Sequence, residues 1–171
     1  MDDQATDKAA ALAAQLIRNY KAVPTSNWTR EPLYETLGAS LAKGTAARQL
    51  GASIDTLPPG KRGCPYHFHH AEEEMFIVLE GQGTLRVAGE LLPIRSGDVM
   101  FIPAGPEYPH QILNTSDAPL KYLSISTQVA IEVCEYPDSG KYNASVQVGD
   151  ERRFRAIQRT DASVDYWDGE A

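Results

Sequence analysis

The sequence predicts an all-β fold, a single barrel or sandwich, and three observations support this fold class. Short apolar runs recur along the middle of the chain, separated by glycines and prolines. Residues 84–88 alternate, which places Leu85 and Val87 on one face of a strand and Thr84 and Arg86 on the other. No internal repeat is visible, so we expect one barrel unit rather than two.

The chain divides into three expected parts: a helix and arm over 1–44, a barrel over 45–137 and a C-terminal extension over 138–171. Residues 5–20 are rich in alanine, with apolar side chains near helical spacing, and predict a helix. Residues 21–45 are interrupted by prolines and glycines, so they predict an irregular arm with one short strand around 33–36.

Nine strands are predicted for the barrel, because each segment is apolar or alternating and is bounded by turn residues. In chain order they cover 49–57, 66–69, 74–80, 84–88, 91–94, 97–103, 110–114, 120–127 and 131–136. Gly81-Gln82-Gly83 predicts a hairpin turn, and Gly89-Glu90 predicts a second turn. After Gly140 the pattern weakens, so we expect an irregular tail that is anchored on the barrel by Tyr166 and Trp167.

The strand over 74–80 is apolar on both of its faces. If Glu74 points inward, Phe76 and Val78 do so too, and Ile77 and Leu79 then point outward although they are apolar. A strand of this kind is covered on both sides. We expect the N-terminal arm, the C-terminal tail or a second subunit to cover its outer face.

Composition and charge bound the possible functions. The chain has 171 residues and a net charge of −7, which argues against a nucleic-acid partner because such proteins carry a basic face. The sequence has no apolar run long enough for a membrane helix and begins without the pattern of a signal peptide, so no membrane partner is expected. The two cysteines agree with a reducing compartment, and we expect a cytoplasmic protein.

Three histidines and one glutamate predict a metal site. His67 and His69 are two residues apart, so on a strand both imidazoles face the same side. Glu74 follows His69 by an odd offset, which means that residues 70–73 must turn before the next strand begins. His110 comes from far along the chain, at the start of another apolar run. Imidazoles and a carboxylate suit a divalent transition metal, and these ligand types do not choose among Fe, Mn, Ni, Co and Zn.

The arrangement resembles the two sequence motifs of the cupin superfamily. The first motif is matched by His67, His69, Glu74 and Gly81, with Gly60 one residue further away than usual. The second is matched by Gly97, Pro103, Gly105, His110 and Asn114. The gap from Gly105 is two residues longer than usual, so that the standard spacing would put the ligand at Tyr108. We predict His110, because Asn114 lies at the correct distance from it and tyrosine is a poor ligand for most divalent ions.

The resemblance implies a double-stranded β-helix, or jelly-roll barrel, that binds one divalent metal through His67, His69, Glu74 and His110. It extends to small stand-alone cupins described as sugar-phosphate isomerases, through the stretches L-P-P-G, C-P-Y-H-F-H-H and E-Y-P-D-S-G-K. The resemblance therefore implies a metal-dependent enzyme acting on a small polar substrate, and cupins commonly form homodimers. An iron- or manganese-dependent dioxygenase or decarboxylase, and a non-catalytic small-molecule-binding protein, remain open.

Several residues near the motifs are candidates for substrate chemistry. Glu72, Glu73 and Tyr108 are candidate bases, although each is also explained as a solvated or wall residue. Lys61 and Arg62 could bind a phosphate, or simply form a solvated turn. One carboxylate facing a divalent ion leaves the site net positive, which favours an anionic or hydroxy-keto substrate.

Overall fold

The computed structural model describes residues 2–149 and 151–170 as one helix, thirteen strands and a short 3₁₀ turn. In chain order the elements are α1 (Asp2–Leu16), β1 (Ser26–Arg30), β2 (Tyr34–Ser40), β3 (Leu50–Leu57), β4 (Phe68–His69), β5 (Glu74–Glu80), β6 (Gln82–Val87), β7 (Glu90–Arg95), β8 (Val99–Ile102), β9 (His110–Leu113), β10 (Leu120–Thr127), β11 (Ile131–Tyr136), the 3₁₀ turn Pro137–Ser139, β12 (Lys141–Val148) and β13 (Glu151–Arg159). Among these residues, no helix is long and apolar enough to cross a bilayer.

The strands form the two layers of a jelly roll, as the sequence predicts. One layer is a six-stranded sheet in the order β1-β2-β3-β10-β5-β8. The other contains the sheets β13-β12-β11-β4 and β7-β6-β9, which an antiparallel bridge between His67 and His110 joins. This backbone bridge therefore joins the two sheets of the second layer and brings His67 and His110 next to each other.

The hydrophobic core lies between the two layers. Its centre is formed by side chains from seven strands, β3 and β5 to β10, and they alternate with outward-facing residues as a half-buried sheet requires. The buried residues are Leu57, Phe76, Val78, Leu85, Ile94, Met100, Ile102, Ile112, Leu120 and Tyr122. This core supports one end of β5, whose other end carries Glu74.

Both chain extensions contain more β structure than the sequence predicts. The N-terminal arm forms the pair β1 and β2, which adds to the edge of the six-stranded sheet, where one short strand was expected. The C-terminal segment forms β12 and β13 on β11, so the prediction of an irregular tail there was wrong. Neither segment has a strong apolar alternation. The open edges of neighbouring strands provide the backbone partners that local sequence does not predict.

The expected anchor of the tail is also wrong. Tyr166 and Trp167 are 84% and 70% exposed, and their rings pack against each other at 4.9 Å between centroids rather than on the barrel.

Candidate metal centre

The three imidazoles predicted as ligands converge on one carboxylate oxygen. The Oε2 atom of Glu74 lies 2.8 Å from His110 Nε2, 3.6 Å from His69 Nε2 and 3.8 Å from His67 Nε2. The carboxylate comes from the start of β5, and the imidazoles come from β4, from the residue before it and from β9. Four predicted donor groups from three separate segments therefore meet at one point.

The other ring nitrogens fix the orientation of two of these imidazoles. His67 Nδ1 lies 2.8 Å from the carbonyl oxygen of Pro65, and His110 Nδ1 lies 3.3 Å from that of Tyr108. A carbonyl only accepts hydrogen bonds, so each Nδ1 carries the proton and donates it. The Nε2 atoms are then unprotonated and present a lone pair towards Glu74, which is the form that binds metals.

Two buried polar atoms at this point have no hydrogen-bond partner among the described residues. Glu74 Oε2 and His110 Nε2 are 2.8 Å apart, but they are not aligned as donor and acceptor. Burying such atoms without a partner is costly. A divalent transition metal would satisfy them, and a donor set of imidazole nitrogens and one carboxylate oxygen suits such an ion. The residues present therefore fit the metal that the resemblance implies.

Burial and neighbouring groups keep these side chains in their ligating forms. Burial, together with the nearby His110, lowers the pKa of His67 to about 4, so this imidazole is neutral at pH 7. Burial by itself would raise the pKa of Glu74, but its contact with His110 and its favourable electrostatic interaction with the surrounding imidazoles outweigh that effect. The pKa of Glu74 is therefore below its ordinary value, and the carboxylate is ionised.

The centre opens into a cavity of about 910 Å³ between the two layers. Its wall contains two of the ligands, both free thiols, two cations from the loop before β3, and polar side chains from β12. The lining residues include His67, His69, Glu72, Glu132, Cys64, Cys134, Tyr136, Lys43, Arg48, Asn143 and Ser145. The cavity is large enough for a small-molecule ligand.

Only one of the three candidate bases lines this cavity. Glu72 lines it and is half-buried, and burial raises the pKa of its carboxyl although the backbone N–H of Val129 donates to it. Glu73 and Tyr108 are exposed and do not line the cavity. The structure therefore brings only Glu72 of the three close to the ligands, at 3.8 Å from His69 Nδ1.

The two cations proposed from the sequence for phosphate binding lie away from the cavity. Lys61 forms an ion pair with Glu31 at 2.9 Å, and neither Lys61 nor Arg62 lines the wall. Lys43 and Arg48 line it instead, and no ion pair joins either of them to another described residue.

Sequence reasoning missed three residues of β11 that line the cavity. Glu132, Cys134 and Tyr136 alternate along the strand, so they share its inner face. Burial raises the pKa of the Cys134 thiol to about 12, and it also raises the pKa of Tyr136 well above its ordinary value. The period-two pattern Glu-x-Cys-x-Tyr was the signal that could have found them, because an acid on the inner face of a barrel strand needs a partner.

Comparison with known proteins agrees with this geometry. The model of the cupin domain family matches residues 53–126. Over 135 residues the chain is 30% identical to the auxin-binding protein T92 of Nicotiana tabacum, an alignment that covers 72% of this chain and 69% of that protein. Over 69 residues it is 36% identical to an oxalate-binding protein of Thermotoga maritima, covering 40% of this chain and 54% of the relative. The chain belongs to the cupin superfamily.

A solved structure resembles nearly the whole chain. It is a protein of Acidithiobacillus ferrooxidans that is provisionally assigned as a sugar phosphate isomerase, with a TM-score of 0.74 and 26% identity, covering 88% of this chain and 96% of that one. The curated relatives are matched less completely, since the chain spans about half to two thirds of the length of the first three. The structural likeness therefore includes the extensions as well as the barrel.

Proposed function

We propose that His67, His69, Glu74 and His110 bind one divalent transition metal and that the protein is a metal-dependent enzyme of the sugar-phosphate isomerase kind. The observation that carries this proposal is the convergence of three Nε2 atoms on Glu74 Oε2 beside an open cavity. The likeness to the Acidithiobacillus ferrooxidans protein supports the choice of substrate class.

Sugar-phosphate isomerisation requires a polarised carbonyl and a base that removes a proton from the carbon beside it. A bound divalent ion supplies the polarisation. Glu72 is placed to act as the base, because it lines the cavity. Burial raises the pKa of its carboxyl, which brings that pKa closer to pH 7 than the pKa of an ordinary glutamate. The carboxylate would take the proton from the hydroxyl-bearing carbon beside the carbonyl and return it to the carbonyl carbon, while the hydroxyl proton passes to the carbonyl oxygen, so that carbonyl and hydroxyl exchange places.

Two cations at the cavity wall support an anionic substrate. Lys43 and Arg48 belong to the loop between β2 and β3, and both are exposed to the cavity without a partner acid among the described residues. In the same cavity wall, β12 contributes Asn143 and Ser145 as neutral hydrogen-bonding groups. A phosphate would find charge and donors on this rim while the polar end of the sugar reaches the imidazoles.

Turnover of a panel of aldose and ketose phosphates by the metal-loaded protein tests this proposal. We expect isomerisation of at least one of them, a KM about tenfold higher in Lys43→Ala/Arg48→Ala, and a kcat reduced about 10²-fold or more in Glu72→Gln. Lys61→Ala, which removes a cation outside the cavity, should leave both constants unchanged. Absence of turnover with the metal fully loaded would contradict the isomerase function.

A second candidate function is the binding or conversion of a small carboxylate, which the likeness to the oxalate-binding protein supports. An iron- or manganese-dependent dioxygenase or decarboxylase would consume oxygen or release carbon dioxide when it is given such an acid. A binding protein would show a raised melting temperature with the acid and no conversion.

We also infer a homodimer in the cytoplasm. Both cysteines are free thiols, in keeping with a reducing compartment. The six-stranded sheet carries an apolar outer surface, the outer face, formed by Met75, Ile77, Val99, Phe101, Leu123 and Ile125. Phe101 is 72% exposed on it, and a second copy of the chain would cover this surface.

A further inference from the structure

Glu132 is the only acidic residue among the fully buried residues of the described structure, and it is not one of the predicted metal ligands. Glu132 is only 7% exposed, although its side chain ends in a carboxylate. A buried carboxylate is retained only where it is paired or hydrogen-bonded. Its partners therefore indicate what it does.

Both hydrogen bonds of this carboxylate go to the segment between His69 and Glu74. Oε1 accepts a hydrogen bond from the backbone N–H of His70 at 3.0 Å, and Oε2 accepts one from that of Glu72 at 3.1 Å. Strand β11 thus holds the turn that lets Glu74 face the same point as His69. This is the turn that the odd spacing of these two residues requires.

The same carboxylate also reaches the ring of His69. Oε1 lies 3.4 Å from His69 Nδ1, within ion-pair distance, although the ring N–H is not aligned as a hydrogen bond and this nitrogen has no other partner among the described residues. Glu72 Oε2 is further away, at 3.8 Å. The three imidazoles therefore have the same arrangement. In each of them an oxygen faces Nδ1, and Nε2 faces Glu74. For two of them that oxygen is a neighbouring carbonyl, and for His69 it is Glu132.

We propose that Glu132 is a positioning residue of the metal centre: it holds the imidazole of His69 through Nδ1, directs Nε2 towards Glu74, and fixes the turn between them. An acceptor on the far nitrogen of a ligating histidine fixes its tautomer and its ring orientation. A charged acceptor also makes the imidazole a stronger donor to the metal. The inference rests on the proposed metal site and not on the proposed substrate.

The test is the affinity for Zn²⁺, measured by competition with a chromogenic chelator. Glu132→Gln keeps the size of the side chain but replaces one carboxylate oxygen with an NH₂ group. This group is a donor and cannot accept a hydrogen bond from the N–H group that it faces. We expect it to weaken Zn²⁺ binding about 10- to 100-fold. The matched control is Glu135→Gln on the same strand, whose carboxylate lies 2.7 Å from Nε2 of His70, a histidine outside the ligand set. Its affinity should equal that of the unmodified protein.

A mutant cycle separates positioning from a general structural role. If Glu132 acts through His69, Glu132→Gln should cost much less affinity in a His69→Ala background than in the unmodified chain, because only its effect on the turn remains. An equal loss in both backgrounds, or a Glu132→Gln affinity no lower than that of Glu135→Gln, would overturn the proposal.

A measurement on the unmodified protein keeps the proposal testable if Glu132→Gln does not fold. ¹⁵N-histidine NMR of the Zn²⁺-loaded chain should show His69 bound through Nε2 with a proton on Nδ1, and a metal bound through Nδ1 would contradict the proposal. An unmodified chain that takes up no Zn²⁺ would overturn the metal centre itself, which is a different failure from an absence of isomerase turnover.

Discussion

At the scale of single residues, Asn114 shows how a motif position can serve the fold rather than the metal. It is 1% exposed, and its amide Nδ2 donates to the carbonyl oxygens of Leu57 and Ala118, both at 2.8 Å. Its Oδ1 accepts from the N–H and the hydroxyl of Ser116 at 3.0 and 2.8 Å. The side chain therefore ties the loop after β9 to the end of β3.

Asn114→Ala should destabilise the fold without removing a metal ligand. It leaves the carbonyl of Leu57 buried without this donor, and we expect a loss of about 3 kcal/mol in the free energy of unfolding. Denaturant unfolding measures it. Asn27→Ala is the matched control, because that amide is exposed and makes one long hydrogen bond of 3.4 Å with Glu35, and it should change stability little. Loss of bound metal at unchanged stability would contradict this role.

At this scale the sequence identified the candidate ligands but missed residues around them. The structure brings together all four predicted ligands, including His110, which the usual spacing would have replaced by the exposed Tyr108. The spacing from Asn114 was the better guide, because both residues belong to one short strand and the turn after it. The period-two pattern of β11 could have indicated that Glu132 faces inward, but its partners were not predictable, since they are backbone groups 62 and 60 residues away.

At the scale of elements, Gly81 lies at a corner between the two layers. The sequence predicts a hairpin at Gly81-Gln82-Gly83, and this prediction was wrong, because β5 pairs with β8 and β10 whereas β6 pairs with β7 and β9. A glycine turn looks the same in sequence whether the following strand pairs with the preceding one or crosses to another sheet. The second turn is a true hairpin, with the two-residue loop Ala88-Gly89 between β6 and β7.

A pair of glycine substitutions tests the corner. Gly81 has φ +84°, and a Cβ there would lie 2.3 Å from the carbonyl oxygen of Pro119. Gly89 has almost the same φ, +85°, but open space around it. Gly89→Ala should therefore lose only the cost of the left-handed backbone, about 1 kcal/mol. Gly81→Ala should lose about 3 kcal/mol or more, since the backbone must move as well. Equal losses of unfolding free energy in the two variants would contradict the close approach.

At the scale of the whole molecule, the two layers have different outer surfaces. The extensions β12 and β13 lengthen the layer that contains β4, and β1 and β2 lengthen the opposite sheet at its edge, so none of these four strands lies over the outer face. Of the three covers that the sequence left open for β5, a second subunit is the one we propose. The apolar residues on both faces of β5 predicted that its outer face is covered. The sequence does not show whether another part of the chain or a second copy covers it.

Phe101→Lys should separate the proposed dimer. The substitution places a charge on the edge strand β8, on the most exposed part of the apolar outer face, and burying that charge against a second copy is costly. Sedimentation equilibrium measures the change in mass. Leu91→Lys is the control, because Leu91 is 64% exposed on β7, away from the outer face. A monomeric unmodified protein, or a Phe101→Lys variant that remains dimeric, would contradict the assignment of this surface.

The metal content per chain is the measurement to make first, because the proposed centre and the proposed chemistry both depend on a bound metal. Elemental analysis of protein purified without a metal-affinity column should find about one equivalent of Fe, Mn, Ni, Co or Zn. His67→Ala/His69→Ala and His110→Ala should lose it, and Tyr108→Phe should retain it. No metal in the unmodified protein, and none taken up when these ions are added, would contradict the proposed centre and leave a metal-free binding cavity.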